Sequence, residues 1–174
     1  MYYSSVGILS LIVMVIINIE ALRKVENTSE NDERLKYRQY LIALILFFAA
    51  DIMWGYFYEK RWLILTYINT FMFFATMVLS VLCWTRGVVA FSGNKGKSSK
   101  ILVLGGWLIF WFEIVALLIN LFFPIVFTFK EDKEYVPLPA RYIGLVLQMI
   151  LFLCTAVYSM RSEEHTSELQ SLAY

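Results

Sequence analysis

Two carboxylic acids lie inside long apolar stretches of this chain, where a charged side chain is costly. Asp51 and Glu113 are both flanked by apolar residues for about two helical turns on each side. A charged group at the centre of a bilayer costs roughly 3 kcal/mol on insertion scales, so it normally faces the interior of a helical bundle and marks a functional site. The two carboxyl groups are therefore candidates for binding a small ligand, an ion or a proton.

Two side-chain amides, Asn69 and Gln148, also lie inside the apolar stretches. Asp51 and Asn69 are each nine residues from Lys60, so a tight turn there would place both at a depth of about 13 Å in two antiparallel helices. We expect them to lie close enough to hydrogen-bond each other. Gln148, in the last apolar stretch, is a further amide candidate.

Small and polar residues recur along the apolar stretches that contain Glu113 and Gln148. One stripe contains Gly106, Glu113, Ala116 and Asn120, and the other Arg141, Gly144, Gln148, Thr155 and Ser159. In membrane bundles such stripes face other helices. We predict that Asp51, Asn69, Glu113 and Gln148 converge in one half of the bundle. They would form either a polar ligand pocket or interhelical hydrogen bonds that only hold the helices together.

Several other chemistries are not supported by the residues available. The single histidine, His165, lies in a polar tail, so residues 1–160 offer no histidine for haem ligation, a metal centre or a catalytic triad. No lysine lies inside an apolar stretch to form a retinal Schiff base. Cys83 and Cys154 lack metal-binding spacing. We expect no cofactor, no metal and no disulfide.

The elements that must position these residues are membrane helices. The chain has 174 residues, of which 60% are hydrophobic and 17% aromatic. Five stretches have about the twenty apolar residues that a spanning helix needs: 3–22, 40–58, 63–84, 101–123 and 142–160. The first lacks the basic start and the cleavage site of a signal peptide. The sequence therefore predicts an all-α, polytopic transmembrane bundle.

Basic residues suggest how the bundle is oriented. The loops after the first and third stretches carry nine Lys and Arg residues, including their flanks, whereas the loops after the second and fourth carry five. The positive-inside rule places the richer loops in the cytoplasm, with the amino terminus outside.

The connections between the stretches differ in character. Residues 25–33 are polar and should be a solvated connector, and residues 59–61 force a tight helical hairpin. In the third loop, Gly93, Gly96, Lys97 and Ser98 superficially resemble a phosphate loop but lack its spacing, so we interpret residues 92–99 as a linker. Residues 127–130 and 135–136 could form a small hairpin around a turn at 131–133.

The carboxyl-terminal residues resemble a foreign segment. Residues 161–171 can be encoded by codons that resemble a widely used sequencing adapter, and residues 172–174 fit its continuation. We expect residues 1–160 to be the natural segment and residues 161–174 to be an adapter-derived tail, which should be left out of fold reasoning.

Several short runs resemble one kind of bacterial membrane region. They are residues 2–7, 37–40, 51–55, 82–86, 119–124 and 140–142. Together they are similar to the multi-helix input, or sensor, region that precedes GGDEF diguanylate cyclase or histidine kinase modules. The resemblance is closest at Asp51, Trp54, Arg86, Asn120 and Arg141. It implies seven helices, of which five are present, followed by an output module.

The resemblance implies a sensory input region in a bacterial cytoplasmic membrane. Because no GGDEF motif or phosphoacceptor histidine is present, we expect no enzymatic activity from this chain. The expected partners are the lipid bilayer, an unknown small-molecule or membrane signal and, by analogy, a second copy in a homodimer, but no nucleic acid. The alternatives are a small transporter or channel subunit that uses Asp51 and Glu113, and a purely structural membrane subunit.

Overall fold

The computed structural model describes residues 2–23, 31–93 and 96–172, with side-chain surroundings described between residues 6 and 162. The elements are α1 (Tyr2–Ile17), α2 (Ile19–Arg23), α3 (Asn31–Glu59), α4 (Leu63–Phe91), α5 (Lys97–Asn120), β1 (Phe127–Phe129), β2 (Tyr135–Pro137) and α6 (Pro139–Leu172). Most of the predicted connector at 25–33, part of the 92–99 linker and the last two residues of the tail lie outside the described residues.

Four of the five predicted spans are helices long and apolar enough to cross a membrane: Asp32–Glu59, Leu63–Phe91, Lys97–Asn120 and Pro139–Ser162. The fold is thus an all-α, membrane-spanning bundle, as predicted. The first predicted span is instead divided at Asn18 into α1 and α2. Backbone hydrogen bonds still cross the division, from Asn18 to Met14 and from Leu22 to Asn18.

Several helices extend beyond their predicted apolar limits. The second predicted span begins at residue 40, whereas α3 begins at Asn31, within the predicted connector. Asp32 and Glu33 lie in its first turn, where acidic groups favour the positive end of the helix dipole. Lys36 also pairs with Asp32 one turn away. Polar residues that interact along a helix therefore extend it without adding apolar surface.

The predicted small hairpin is present between α5 and α6. β1 and β2 pair antiparallel, with Phe127 opposite Pro137 and Phe129 opposite Tyr135. Lys133 donates its ammonium to the carbonyl of Arg61 in the turn between α3 and α4, at 3.2 Å. These two connections therefore lie at the same end of the bundle, here called the hairpin end, and α3 and α5 begin at the opposite end.

The core lies under the hairpin, where α4 packs against α3, α5 and α6. Phe74 of α4, Leu117 of α5 and Phe127 of β1 are almost completely buried, together with Ala116 and Val126. In α4, threonines are buried beside apolar side chains such as Phe74. Thr66, Thr70 and Thr76 each donate a hydroxyl to a carbonyl of the preceding turn. This satisfies polar groups within the helix and leaves its surface free to pack closely.

Candidate functional site

Glu113 is the most deeply buried carboxyl group in the described part of the chain. Its side chain is 2% exposed and makes no hydrogen bond within the described residues, and its Oε2 atom has no partner. A methyl group on Gly144 of α6 would lie 2.1 Å from that oxygen. The carboxyl group therefore packs directly against the backbone of α6 at Gly144, where any side chain would overlap with it.

The neighbouring turns of α6 carry two further unpartnered polar atoms. Arg141 and Gln148 lie three residues before and four residues after Gly144, so all three share one face of the helix. The Arg141 Nε and Gln148 Nε2 atoms are buried and have no hydrogen-bond partner. Buried polar atoms are nearly always paired in folded proteins. Of the four unpaired buried atoms in the described residues, three therefore belong to this region, and the fourth is Trp84 Nε1 of α4.

Arg141 also connects this region to the hairpin. Its Nη1 atom donates to the hydroxyl of Tyr135 at 3.2 Å, and its guanidinium lies 5.5 Å from the centre of the Tyr135 ring and 5.7 Å from that of Phe74. Burial raises the pKa of the Tyr135 phenol, and the adjacent Arg141 opposes that shift. The phenol therefore stays neutral and serves as a hydrogen-bond acceptor for the guanidinium.

The sequence predicted a hydrogen bond between Asp51 and Asn69, but the two side chains are not bonded to each other. Asn69 donates its amide to the backbone carbonyl of Ala50 at 2.7 Å. The Asp51 carboxyl faces α1, where a methyl group on Gly7 would lie 3.2 Å from its Oδ2 atom. Asn69 thus reaches the residue next to Asp51, while the Asp51 carboxyl itself lies beside α1.

The four predicted site residues therefore lie at three separate places. Glu113 of α5 packs against Gly144 of α6, on the helix face that also carries Gln148, whereas Asp51 packs against Gly7 of α1. Asn69 serves the contact between α3 and α4. We call the first place, made of Glu113, Arg141, Gly144 and Gln148, the α5–α6 polar site. Arg141 and Gly144 were noticed in the sequence only as parts of a stripe or a resemblance, and not as site residues.

Asn120, which was selected by resemblance, has a clear structural role. Its Oδ1 atom accepts hydrogen bonds from the backbone N–H groups of Ile125, Val126 and Phe127, at 2.8, 2.7 and 3.2 Å. Its Nδ2 atom donates to the carbonyl of Phe127 and to the hydroxyl of Tyr67. One side chain thus fixes the hairpin to the ends of α4 and α5.

Trp54 and Arg86 are also structural contacts. The Trp54 indole donates to the hydroxyl of Thr70 at 3.0 Å, and its ring stacks on Tyr58 at 4.9 Å. Near the opposite end, the Arg86 guanidinium lies 5.9 Å from the centre of the Trp107 ring. These contacts connect neighbouring helices and bring no reactive group together.

Both small and polar stripes face other helices. Gly106, Glu113 and Asn120 are buried in α5, and Gly144, Gln148 and Thr155 are buried in α6. A contact that sequence reasoning missed pairs Thr155 with Thr85 of α4, whose hydroxyl oxygens are 3.3 Å apart. The sequence shows only that both helices contain threonines, and that observation is compatible with many different pairs.

We expect Trp54→Phe to lower the free energy of unfolding by about 1 kcal/mol, because the ring contacts remain while one hydrogen bond is lost. Chemical denaturation in detergent micelles measures the change. Trp111→Phe is the matched control, since Trp111 is 57% exposed and has no described hydrogen bond. Equal losses from the two variants would show that the bond to Thr70 contributes nothing.

Comparison of the chain with protein-family models, curated proteins and solved structures finds no match. The functional interpretation therefore depends on the geometry of the bundle itself.

Proposed function

We propose that this chain is a membrane-embedded sensory input region, in which the α5–α6 polar site controls how α5 and α6 pack. The observation that carries the proposal is the Glu113 carboxyl group, which is 2% exposed, has no described hydrogen bond and is pressed against Gly144. A carboxyl group of this kind is expensive in a bundle that only has to be stable. It is suited to a bundle with a second packing in which that group gains a partner.

The mechanism we propose is a shift between two helix packings. In one packing Glu113 contacts the backbone of Gly144, and in the other α6 moves so that the carboxyl group gains a hydrogen bond from a signal molecule or from Gln148. A signal shifts such an equilibrium only if it binds the two packings with different affinity. Helix displacements of about 1 to 2 Å at an interface are typical of this kind of switch.

The hairpin supplies a route by which an event at its end of the bundle reaches the site. Tyr135 of β2 accepts a hydrogen bond from Arg141, which lies one turn from Gly144 on α6. The paired strand, β1, is fixed by Asn120 at the end of α5, which also bonds to Tyr67 of α4. A movement of the hairpin therefore acts on the start of α6, and α6 then carries it toward the opposite end of the bundle.

Within this proposal, the hairpin end lies outside a bacterial cytoplasmic membrane and the opposite end lies in the cytoplasm. The excess of Lys and Arg in the loops of the opposite end supports that orientation. The signal is a small molecule or a membrane property, the working unit is a homodimer, and the output module is a diguanylate cyclase or histidine kinase. The resemblance supports this assignment of the output.

The output module is checked by reading the genomic frame that continues from Met160. We expect it to encode further membrane helices and then a GGDEF or histidine kinase module, because an input region needs an enzyme to control. A stop codon directly after Met160 would contradict the proposal, as would an output of an unrelated class.

The geometry favours the input role over the two alternatives. A transporter or channel that uses Asp51 and Glu113 needs them along one path, yet Asp51 faces α1 and Glu113 faces α6. A purely structural subunit gains nothing from three buried polar atoms that lack partners.

A further inference from the structure

A second polar region lies at the hairpin end, where α3 ends and α4 begins. A cavity of 310 Å³ opens there between the turn that joins α3 to α4 and the hairpin turn. Its wall includes Tyr58, Arg61, Phe129, Asp132, Lys133 and Glu134. That volume is at the lower end of the range for small-molecule sites, about 300 to 1,000 Å³. It is therefore suited to a metabolite of few atoms.

Two residues of the wall hold a backbone conformation that non-glycine residues rarely adopt. Arg61 has φ of 58° and Lys133 has φ of 68°, and no other non-glycine residue in the described part of the chain has a positive φ. The two are joined, since Lys133 donates to the Arg61 carbonyl. Costly conformations of this kind cluster at ligand sites, where the surrounding structure maintains them. Here they hold two basic residues at one rim of the cavity.

The charged side chains of the wall differ in how many hydrogen bonds and ion pairs they already make. Glu134 is paired with Lys130 at 2.7 Å, which raises the pKa of the Lys130 ammonium, and the Lys133 ammonium is bonded to Arg61. Asp132 accepts one hydrogen bond, from the backbone N–H of Glu134, at 3.0 Å. The Arg61 guanidinium has no hydrogen bond or ion pair within the described residues. Arg61 and Asp132 are thus the charged groups with most capacity left for a ligand.

The cavity wall also offers aromatic surface beside these charges. Tyr58 and Phe129 belong to α3 and β1, so their rings come from two different elements. Aromatic faces attract ammonium groups and apolar side chains alike. A guanidinium binds a carboxylate through two parallel hydrogen bonds. The wall therefore complements a molecule that carries a carboxylate, an ammonium group and a short apolar part.

We infer that this cavity binds a small zwitterion of the free amino acid class, with its carboxylate on Arg61 and its ammonium group on Asp132. Nothing in this binding depends on the α5–α6 polar site or on an output module. Binding can be measured on the chain alone, so its failure and the failure of the input role are separate results.

The experiment uses the full chain in lipid nanodiscs. Each standard L-amino acid is screened by thermal stabilisation, and the affinity of the strongest is measured by calorimetry, beside its decarboxylated amine and its deaminated carboxylate. We expect at least one amino acid to bind and both analogues to bind about tenfold more weakly or worse, because each lacks one charge-assisted contact. The absence of any binding amino acid would overturn the inference, as would an analogue that binds equally well.

Variants then locate the site. Arg61→Asn should weaken binding about tenfold or more, and it should fold because asparagine tolerates positive φ. Asp132→Asn should weaken binding similarly while still accepting the hydrogen bond from Glu134. Lys60→Asn is the matched control, since it removes the neighbouring cation outside the wall. Its affinity should stay within about twofold, because a solvent-exposed charge without direct contact contributes little. Unchanged affinity in both site variants, or an equal loss in the control, would refute the assignment.

Discussion

Asn120→Leu should lower the free energy of unfolding by about 3 to 5 kcal/mol, the largest effect we expect from one substitution. The side chain accepts hydrogen bonds from three consecutive N–H groups, of which those of Val126 and Phe127 belong to residues with no exposed surface. Leucine leaves these donors unpaired, and each unpaired buried donor costs about 1 to 3 kcal/mol. Thermal and chemical unfolding in micelles measure the loss.

Two observations separate this effect from a general packing defect. Hydrogen exchange should become faster at residues 125–127 while the middle of α4 stays protected, because the hairpin loses its attachment before the bundle opens. Asn120→Asp is the matched control. It keeps the acceptor oxygen for the three N–H groups and should retain at least half of the lost stability. If Asp and Leu proved equally destabilising, the acceptor would not be what fixes the hairpin.

Gly144→Ala should lower the free energy of unfolding by about 2 to 3 kcal/mol, because its methyl group would lie 2.1 Å from the Glu113 Oε2 atom. The carboxyl group or the whole of α6 must move to admit it. At a glycine with open space around it the same change is expected to be harmless. A methyl group at Gly105 of α5 would meet no atom within 4 Å, so Gly105→Ala is the matched control and should be neutral or slightly stabilising.

A double-mutant cycle tests whether Glu113 is the cause. In a Glu113→Ala background the clash is absent, so Gly144→Ala should cost almost nothing. The coupling energy between the two positions should then be about 2 kcal/mol. Additive effects would mean that Gly144 is required for another reason, and that Glu113 does not press against α6.

The positions of the helices followed from the sequence because they depend on length and hydropathy. An apolar run long enough to cross a bilayer has few other stable states, and the turn at residues 59–61 is too short for any arrangement except a helical hairpin. The alternation of the loops between the two ends then follows, and so do the two buried stripes. Helix ends were less accurate because residues such as Asp32 and Lys36 extend α3 by contacts that hydropathy does not report.

The candidate site was predicted only in part, since depth along a helix does not give its rotation. Asp51 and Asn69 have the same predicted depth, yet one faces α1 and the other reaches the carbonyl of Ala50. For Gly144 the sequence indicated the position but not the reason for the glycine. It appeared in the sequence as one small residue in a stripe, and only the position of Glu113 shows why a glycine is needed there. The cavity at the hairpin end involves turns brought together by folding, and no spacing in the chain indicates it.

The most direct test of the input role is a distance across the opposite end of the bundle. Spin labels at Ser98 of α5 and Met160 of α6, both exposed, are placed in the full chain after its free cysteines, Cys83 and Cys154, have been replaced by alanine. Pulsed electron resonance in nanodiscs then compares the parent chain with Glu113→Gln and Glu113→Ala. If the α5–α6 polar site controls packing, the most populated distance shifts by about 1 to 2 Å in the variants. Superimposable distances, accompanied only by a change in stability, would show that Glu113 is structural and would contradict the account.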